Sequence, residues 1–323
     1  MARQYTAGTA TDGGGSASTN MANLQATLRS IITANPAWSL VETINGSSNV
    51  VDVYKCAAAS SGLPKDFYFV LVRAVSGGTY TMYLGEDYNS STHALTNVAA
   101  SWTGSNRTLD PTTGLFNPAN SLTFNASTGN GTTAGATPLA TSGVSGAATM
   151  PYEVVVDSDH LMIRMGTGAQ AARYVGALES LVTAVADPMP IAMISLSGSS
   201  TVGSNTNGAT RNPGTVASIS QTHGFNDVLT NSGVVDLYPT PGLKDTSVSD
   251  PWVGGVGAYE VGATNSSSGS GIGLIRGKIK KTRKIYGPPI GTAIGDTFTI
   301  AGRQWRVVGV SGSSSACIVD PGP

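Results

Sequence analysis

A chain of 323 residues can bury one large core or two to three smaller ones. Only 11% of its residues are charged, 40% are apolar and the net charge is −1, whereas an ordinary globular domain carries about 25% charged residues. Wholesale disorder is therefore excluded, and so is a global field that would draw the chain to nucleic acid or to an anionic membrane.

Residues 1–19 read as an extended arm, whose glycines leave it loose until it docks. The opening MARQYTAGTATDGGG has no apolar h-region, so no secretory signal is expected. No apolar run approaches the roughly 18 residues of a membrane span. Residues 20–34 predict a helix, with Met21, Leu24, Leu28, Ile31 and Ile32 on one face and Asn35-Pro36 as its stop. That face is expected to pack on a sheet.

Strand-like runs follow at Asn49–Lys55, Phe67–Arg73 and Thr79–Leu84, separated by turn residues, and predict an antiparallel meander. Residues 101–150 are rich in Ser, Thr, Asn, Gly and Ala without periodicity, and read as a long loop. Glu153–Val156, the turn Asp157-Ser158-Asp159 and His160–Met165 begin a second β unit. Pro190–Leu196 is a further strand candidate, and residues 197–235 are again Gly-, Ser- and Asn-rich. Near the end, Thr297–Ile300 and Gln304–Val308 predict a hairpin turned by Ala301-Gly302-Arg303.

The chain also carries a faint copy of itself. VLVRAVSGGTYTMYLGE at Val70–Glu86 aligns without a gap with LMIRMGTGAQAARYVGA at Leu161–Ala177, 91 positions on. Arg73, Gly77, Tyr83 and Gly85 recur as Arg164, Gly168, Tyr174 and Gly176. The stretch after Gly168 favours helix by propensity. The alignment makes Gln170–Val175 a strand, with a helical turn afterwards. A duplicated β unit speaks for a scaffold.

Chemistry-bearing patterns are few. Gly166, Gly168 and Ala171 match GxGxxA after a strand-like run, with Asp187 about 20 residues on, as a dinucleotide fingerprint requires. The aligned first copy lacks the pattern, and no alternation of strands and helices surrounds it, so a turn is expected instead. His93, His160 and His223 stand beside no GxSxG elbow. His160 follows Asp157 and Asp159, which reads as a hairpin turn before it reads as a metal pair. Glu42, Glu86, Asp87, Glu153, Glu179 and Glu260 are scattered without the signature of a carboxylate pair. Cys56 and Cys317 belong to no CxxC and are expected as buried thiols. No catalytic, cofactor-binding or metal-binding residue is assigned, and no enzyme activity is expected.

The one charge cluster is Arg276, Lys278, Lys280, Lys281, Arg283 and Lys284. It predicts an anionic partner. No aromatic residues interleave for base stacking, so a protein surface is favoured over nucleic acid.

Three segments together resemble structural proteins of tailed-bacteriophage virions. They are YTAGTA with the helix NLQATLRSIITAN and Trp38; NVVDVYKCAAASSGLPKDFYFVLVRAVSGGTYTMYLGEDY with the later YEVVVDSDHLMIRMGTGAQAARYVGALES; and LIRGKIKKTRKIYGPPIGTAIGDTFTIAGRQWRVVGV. The resemblance implies a virion component of the tail, baseplate or neck, made in a bacterial cytoplasm and assembled in symmetric copies. Its partners would be other virion proteins and copies of itself. The alternative is a host-recognition or capsid decoration protein that displays 101–150 to a host surface. The expected fold is α+β and mainly β, with duplicated antiparallel meanders, one N-terminal amphipathic helix and a small C-terminal β subdomain. The expected boundaries are arm 1–19, helix and first β unit 20–100, loop 101–150, second β unit and loop 151–235, and C-terminal subdomain 236–323.

Overall fold

A computed structural model describes residues 3–10, 17–76, 80–96, 98, 108–109, 116–117, 121–133, 139–141, 150–165, 172–179, 189, 191–195, 208–210, 218–220, 233–235, 256–257, 260–263, 274–278, 280–286, 291–300, 302–311 and 315–322. The chain runs from β1 (Gln4–Ala10) through α1 (Ala17–Ala34), β2 (Trp38–Asn45), β3 (Asn49–Cys56) and the short α2 (Ala58–Ser61) to β4 (Phe67–Ala74) and β5 (Tyr80–Gly85). Short strands follow: β6 (Asp87–Asn89), β7 (Ala94–Thr96), β8 (Thr108–Leu109), β9 (Phe116–Asn117), β10 (Ser121–Phe124), β11 (Gly131–Thr133) and β12 (Leu139–Thr141). The second half opens with β13 (Met150–Val156), β14 (His160–Met165), β15 (Arg173–Ala177) and β16 (Ile191–Ser195). Then come β17 (Gly208–Thr210), β18 (Ser218–Ser220), β19 (Gly233–Val235), β20 (Val256–Gly257) and β21 (Glu260–Ala263). The last strands are β22 (Leu274–Lys278), β23 (Thr282–Tyr286), β24 (Thr297–Ile300), β25 (Arg303–Ser311) and β26 (Ser315–Val319).

The architecture is mainly β with antiparallel sheets, as expected. A central sheet, in the order β12-β5-β4-β3-β2, packs one face on α1 and an arm sheet, β1-β13-β14-β15-β16-β17. Period-two alternation explains the sidedness. Tyr54, Phe67, Phe69, Leu71, Met82 and Leu84 point to the helix, and Val51, Val53, Val70, Val72 and Tyr83 point the other way. The helix fills the space between the two sheets with Met21, Leu24, Leu28 and Ile32, all fully buried. Each such side chain contributes about 1.5–3 kcal/mol relative to exposure. The expected apolar face is thus the one that packs, with Ile31 at its margin.

Two further layers cover the outer faces. The sheet β11-β10-β7-β6 closes over the central sheet through Leu95, Leu122 and Phe124. The sheet β20-β23-β26-β25-β24 lies against the arm sheet, where the Ala172 N–H donates to the Val308 carbonyl at 3.2 Å. The terminal hairpin forms with β24 as expected and Ile300 opposite Arg303.

Several boundaries differ from the sequence reading. The arm is not separate, because β1 pairs along its whole length with β13, from Gln4↔Val156 to Ala10↔Met150. The helix starts at Ala17, and β2 was not foreseen because its bulge at Val41 breaks the alternation. Within 101–150, β10 pairs with β7 and β12 with β5, so part of that segment builds the first unit's sheets. Its β10–β11 turn also docks on the β2–β3 turn. Ser47 N–H donates to Ser127 O at 2.9 Å, and any Cβ at Gly46 would lie 2.1 Å from Thr128 and Gly129 backbone atoms. The 235/236 boundary is crossed by the sheet β18-β19-β21-β22, in which β19 pairs with β21. The strand after Gly168 is Arg173–Ala177, whereas the helical turn expected beyond it and the GxGxxA at 166–171 lie outside the described residues. The two aligned hairpins, β4–β5 and β14–β15, both exist, but their registers differ by one residue: Phe69 opposes Leu84, while Leu161 opposes Val175.

Candidate interface site

The basic cluster is divided between two sheets. Arg276 and Lys278 lie on β22, with Lys278 opposite Glu260 of β21. Arg283 and Lys284 lie on β23, opposite Ile318 and Cys317 of β26. These strands belong to different sheets, and the chain crosses between them at Lys280-Lys281. The crossing places Lys281 at φ 50, a left-handed conformation that costs a non-glycine residue about 1–2 kcal/mol. It is held from both sides: the Lys281 carbonyl accepts the Asp320 N–H at 3.0 Å, and Lys281 Nζ donates to Asp157 Oδ2 at 2.7 Å. Lys280 Nζ pairs with Asp159 Oδ2. Two of the six expected interface cations therefore join layers of this same chain.

Their acceptors sit on the β13–β14 turn, which the sequence read as a hairpin turn and the structure also uses as an ionic seat. On one side Trp38 Nε1 donates to the Asp157 carbonyl at 2.8 Å, and Cys56 Sγ, a free buried thiol, lies 3.4 Å from the Ser158 carbonyl. Burial pushes the Cys56 thiol far above its usual range, with Asp159 adding to it, so it is a poor nucleophile. On the other side stand Lys280, Lys281 and Arg3. Burial alone would raise the Asp157 carboxyl, but the bond from Lys281, the charge that His160 carries in acid and the Ser158 N–H hold it at about 2.

His160 lies under this seat, fully buried and stacked on Tyr174 at 5.1 Å between ring centroids. It faces Gly176 across the strand pair, where any Cβ would lie 2.6 Å from His160 Cα, so only glycine lets the ring in. His160 Nδ1 is 2.7 Å from Asp159 Oδ1, and Nε2 is 3.2 Å from Arg3 Nη1. A guanidinium only donates, so Nε2 accepts and Nδ1 carries the proton toward Asp159.

A second hub lies on the same outer face. Glu153 accepts Arg164 Nε at 2.8 Å from β14 and Tyr5 OH at 3.3 Å from β1. It also accepts Arg306 Nε at 2.9 Å from β25, and Arg306 lies over the Tyr5 ring at 5.4 Å. Burial works to raise the Glu153 carboxyl, yet the two arginines hold it below the usual carboxylate range. Tyr5 is pushed up to about 12 by burial and then by the Glu153 charge. A third hub joins the helix to the central sheet: buried Asp52 accepts Arg29 Nη2 at 2.7 Å, Thr43 Oγ1 at 2.8 Å and Tyr54 OH at 3.2 Å.

Sequence reasoning treated Glu153 as one scattered carboxylate and did not single out Arg3, Asp52 or Arg306. The available signal was a lone charge inside an apolar strand run, as in NVVDVYK, YEVVV, LMIRM and QWRVV. Among the described residues, no group of three or more His, Cys, Asp or Glu is arranged to hold a metal, and no helix is long and apolar enough to cross a membrane. No protein-family model matches this chain, and no curated protein matches it.

Proposed function

We propose that this chain is a non-enzymatic structural component of a bacteriophage virion, of the tail, baseplate or neck, assembled in symmetric copies. The observation that carries the reading is how its sparse charges are spent. Asp52, Glu153, Asp157 and Asp159, all buried, each tie one layer to another through arginine or lysine. That use of ionisable groups suits a scaffold. The resemblance of the three segments to virion proteins adds the biological setting. In the same reading the two β units are copies of one meander. Leu84 and Val175 both face the helix, Tyr83 and Tyr174 both face away, and a one-residue slip separates β4 from β14. The C-terminal sheet is the added subdomain that clamps the second copy.

Assembly surfaces are expected at sheet edges. β1 is an edge strand whose QYTAGTA carries no charge, proline or bulge, the devices that keep edges from pairing. Mass spectrometry of purified particles, with copy number counted against a known component, tests the proposal. A fixed stoichiometry matching a ring or tube of the particle is expected, and absence of the chain from particles would overturn it. Intact particles that fail to adsorb after deletion within 101–118 would favour the display reading instead.

A further inference from the structure

We propose that His160 is a pH-dependent latch on the segment Arg3–Ala10: neutral, it accepts the Arg3 guanidinium and holds β1 on β13, and protonated, it expels Arg3 and loosens β1. The donor and acceptor roles carry the argument. Both ring nitrogens are engaged, Nδ1 with Asp159 Oδ1 and Nε2 with Arg3 Nη1. A proton taken from solvent can bind only at Nε2. There it removes the one lone pair that Arg3 uses and sets two donors face to face.

The surrounding charges are mixed, and burial decides between them. His160 is faced by Asp157 and Asp159 from its own turn, Tyr174 from β15, Arg3 from the segment before β1, and Lys280 and Lys281 from the β22–β23 crossing. Asp320, which follows β26, acts on Arg3 and is shared with Arg303 at 3.2 Å. Cys56 lies behind the turn and stays a neutral thiol. Asp159 also binds Lys280, and Asp157 also binds Lys281. Asp157 Oδ2 lies 3.4 Å from Arg3 Nη1 and 4.0 Å from His160 Nε2, so a protonated ring competes with Arg3 for that one carboxylate. Burial, helped by the Arg3 charge, holds the His160 pKa below its ordinary value, against the hydrogen bond to Asp159 and the charges of Asp159 and Asp157. The sign follows: a histidine held neutral by the fold stabilises the docked segment above its ordinary pKa, and that contribution is lost as pH falls through it.

The latch is independent of the virion reading. Two measurements on the full chain test it. In histidine-selective ¹⁵N–¹H spectra, the Nδ1–H tautomer is expected for His160 at about pH 8. In hydrogen exchange corrected for intrinsic rate, opening of the β1–β13 pair should increase by up to about tenfold per pH unit below the ordinary histidine range, the limit for one linked proton. His160→Gln, neutral at every pH, should flatten that dependence, and Arg3→Gln should leave β1 fast-exchanging throughout. If His160→Gln fails to fold, the wild-type titration alone decides. An Nε2–H tautomer, or a His160 that gains its proton while β1 keeps its protection, would overturn the latch.

Discussion

On the helix side of the arm sheet, Val154, Val156, Leu161, Ile163 and Val175 meet α1 and the central sheet without a charge among them. On the other side, the same three strands present Glu153, Val155, His160, Met162, Arg164 and Tyr174 to the C-terminal sheet and its crossing loop. Val155, Met162 and Tyr174 are as buried as their counterparts across the sheet. What distinguishes the second face is its frame of ion pairs, Glu153 with Arg164 and Arg306, Asp157 with Lys281 and Arg3, and Asp159 with Lys280. Apolar contact is non-directional, whereas buried ion pairs fix one arrangement and answer to pH and salt. The inner face accordingly reads as the permanent core, and the outer face as a joint with a defined register and a chemical release.

The comparison can be broken in order of effect. Leu28→Ala, on the inner side, should cost about 3–4 kcal/mol in urea unfolding and cost the same at low and high salt. Glu153→Gln, nearly isosteric, should cost about 2–3 kcal/mol, because Arg164 and Arg306 lose their shared counter-charge while partly buried. The same variant should bring Tyr5 down from about 12 toward its ordinary range in a spectrophotometric titration, since Glu153 is the second cause of its elevation. An unchanged Tyr5 would place the burden on burial alone. Acid should act on the outer joint in two stages. His160 contributes first, and Asp157, whose folded value near 2 lies below its usual 3.8, keeps its contribution above that usual value and loses it as pH falls toward 2. Circular dichroism read beside exchange at β24–β26 would show that order. Lys281→Ala should be the mildest, about 0.5–1 kcal/mol, because its side chain is half exposed.

The inner face was legible in the sequence because hydrophobic periodicity reports it directly. The helix face and strands β3, β4, β5, β14 and β16 lie within a few residues of where alternation put them. The outer face was less legible, because its residues are defined by partners far along the chain. Arg3 meets His160, and Glu153 meets Arg306, and no local pattern joins such pairs. β2 was lost to its bulge, and β10 and β12 were hidden in small polar residues whose strand character comes from the neighbours they pair with. The basic run was visible as charge, but sequence alone could not show that Lys280 and Lys281 turn inward.

Hydrogen exchange across a salt series tests the contrast most directly, comparing amides of β24–β26 with those of β4 and β5 in the central sheet. Raising salt from about 0.05 M to about 1 M shortens the screening length from over 10 Å to about 3 Å. The expected result is faster exchange in β24–β26 and at Lys280–Thr282, with β4 and β5 unchanged. Equal loss of protection on both faces, or none on the outer one, would contradict the division of the arm sheet into an apolar core face and an ionic joint.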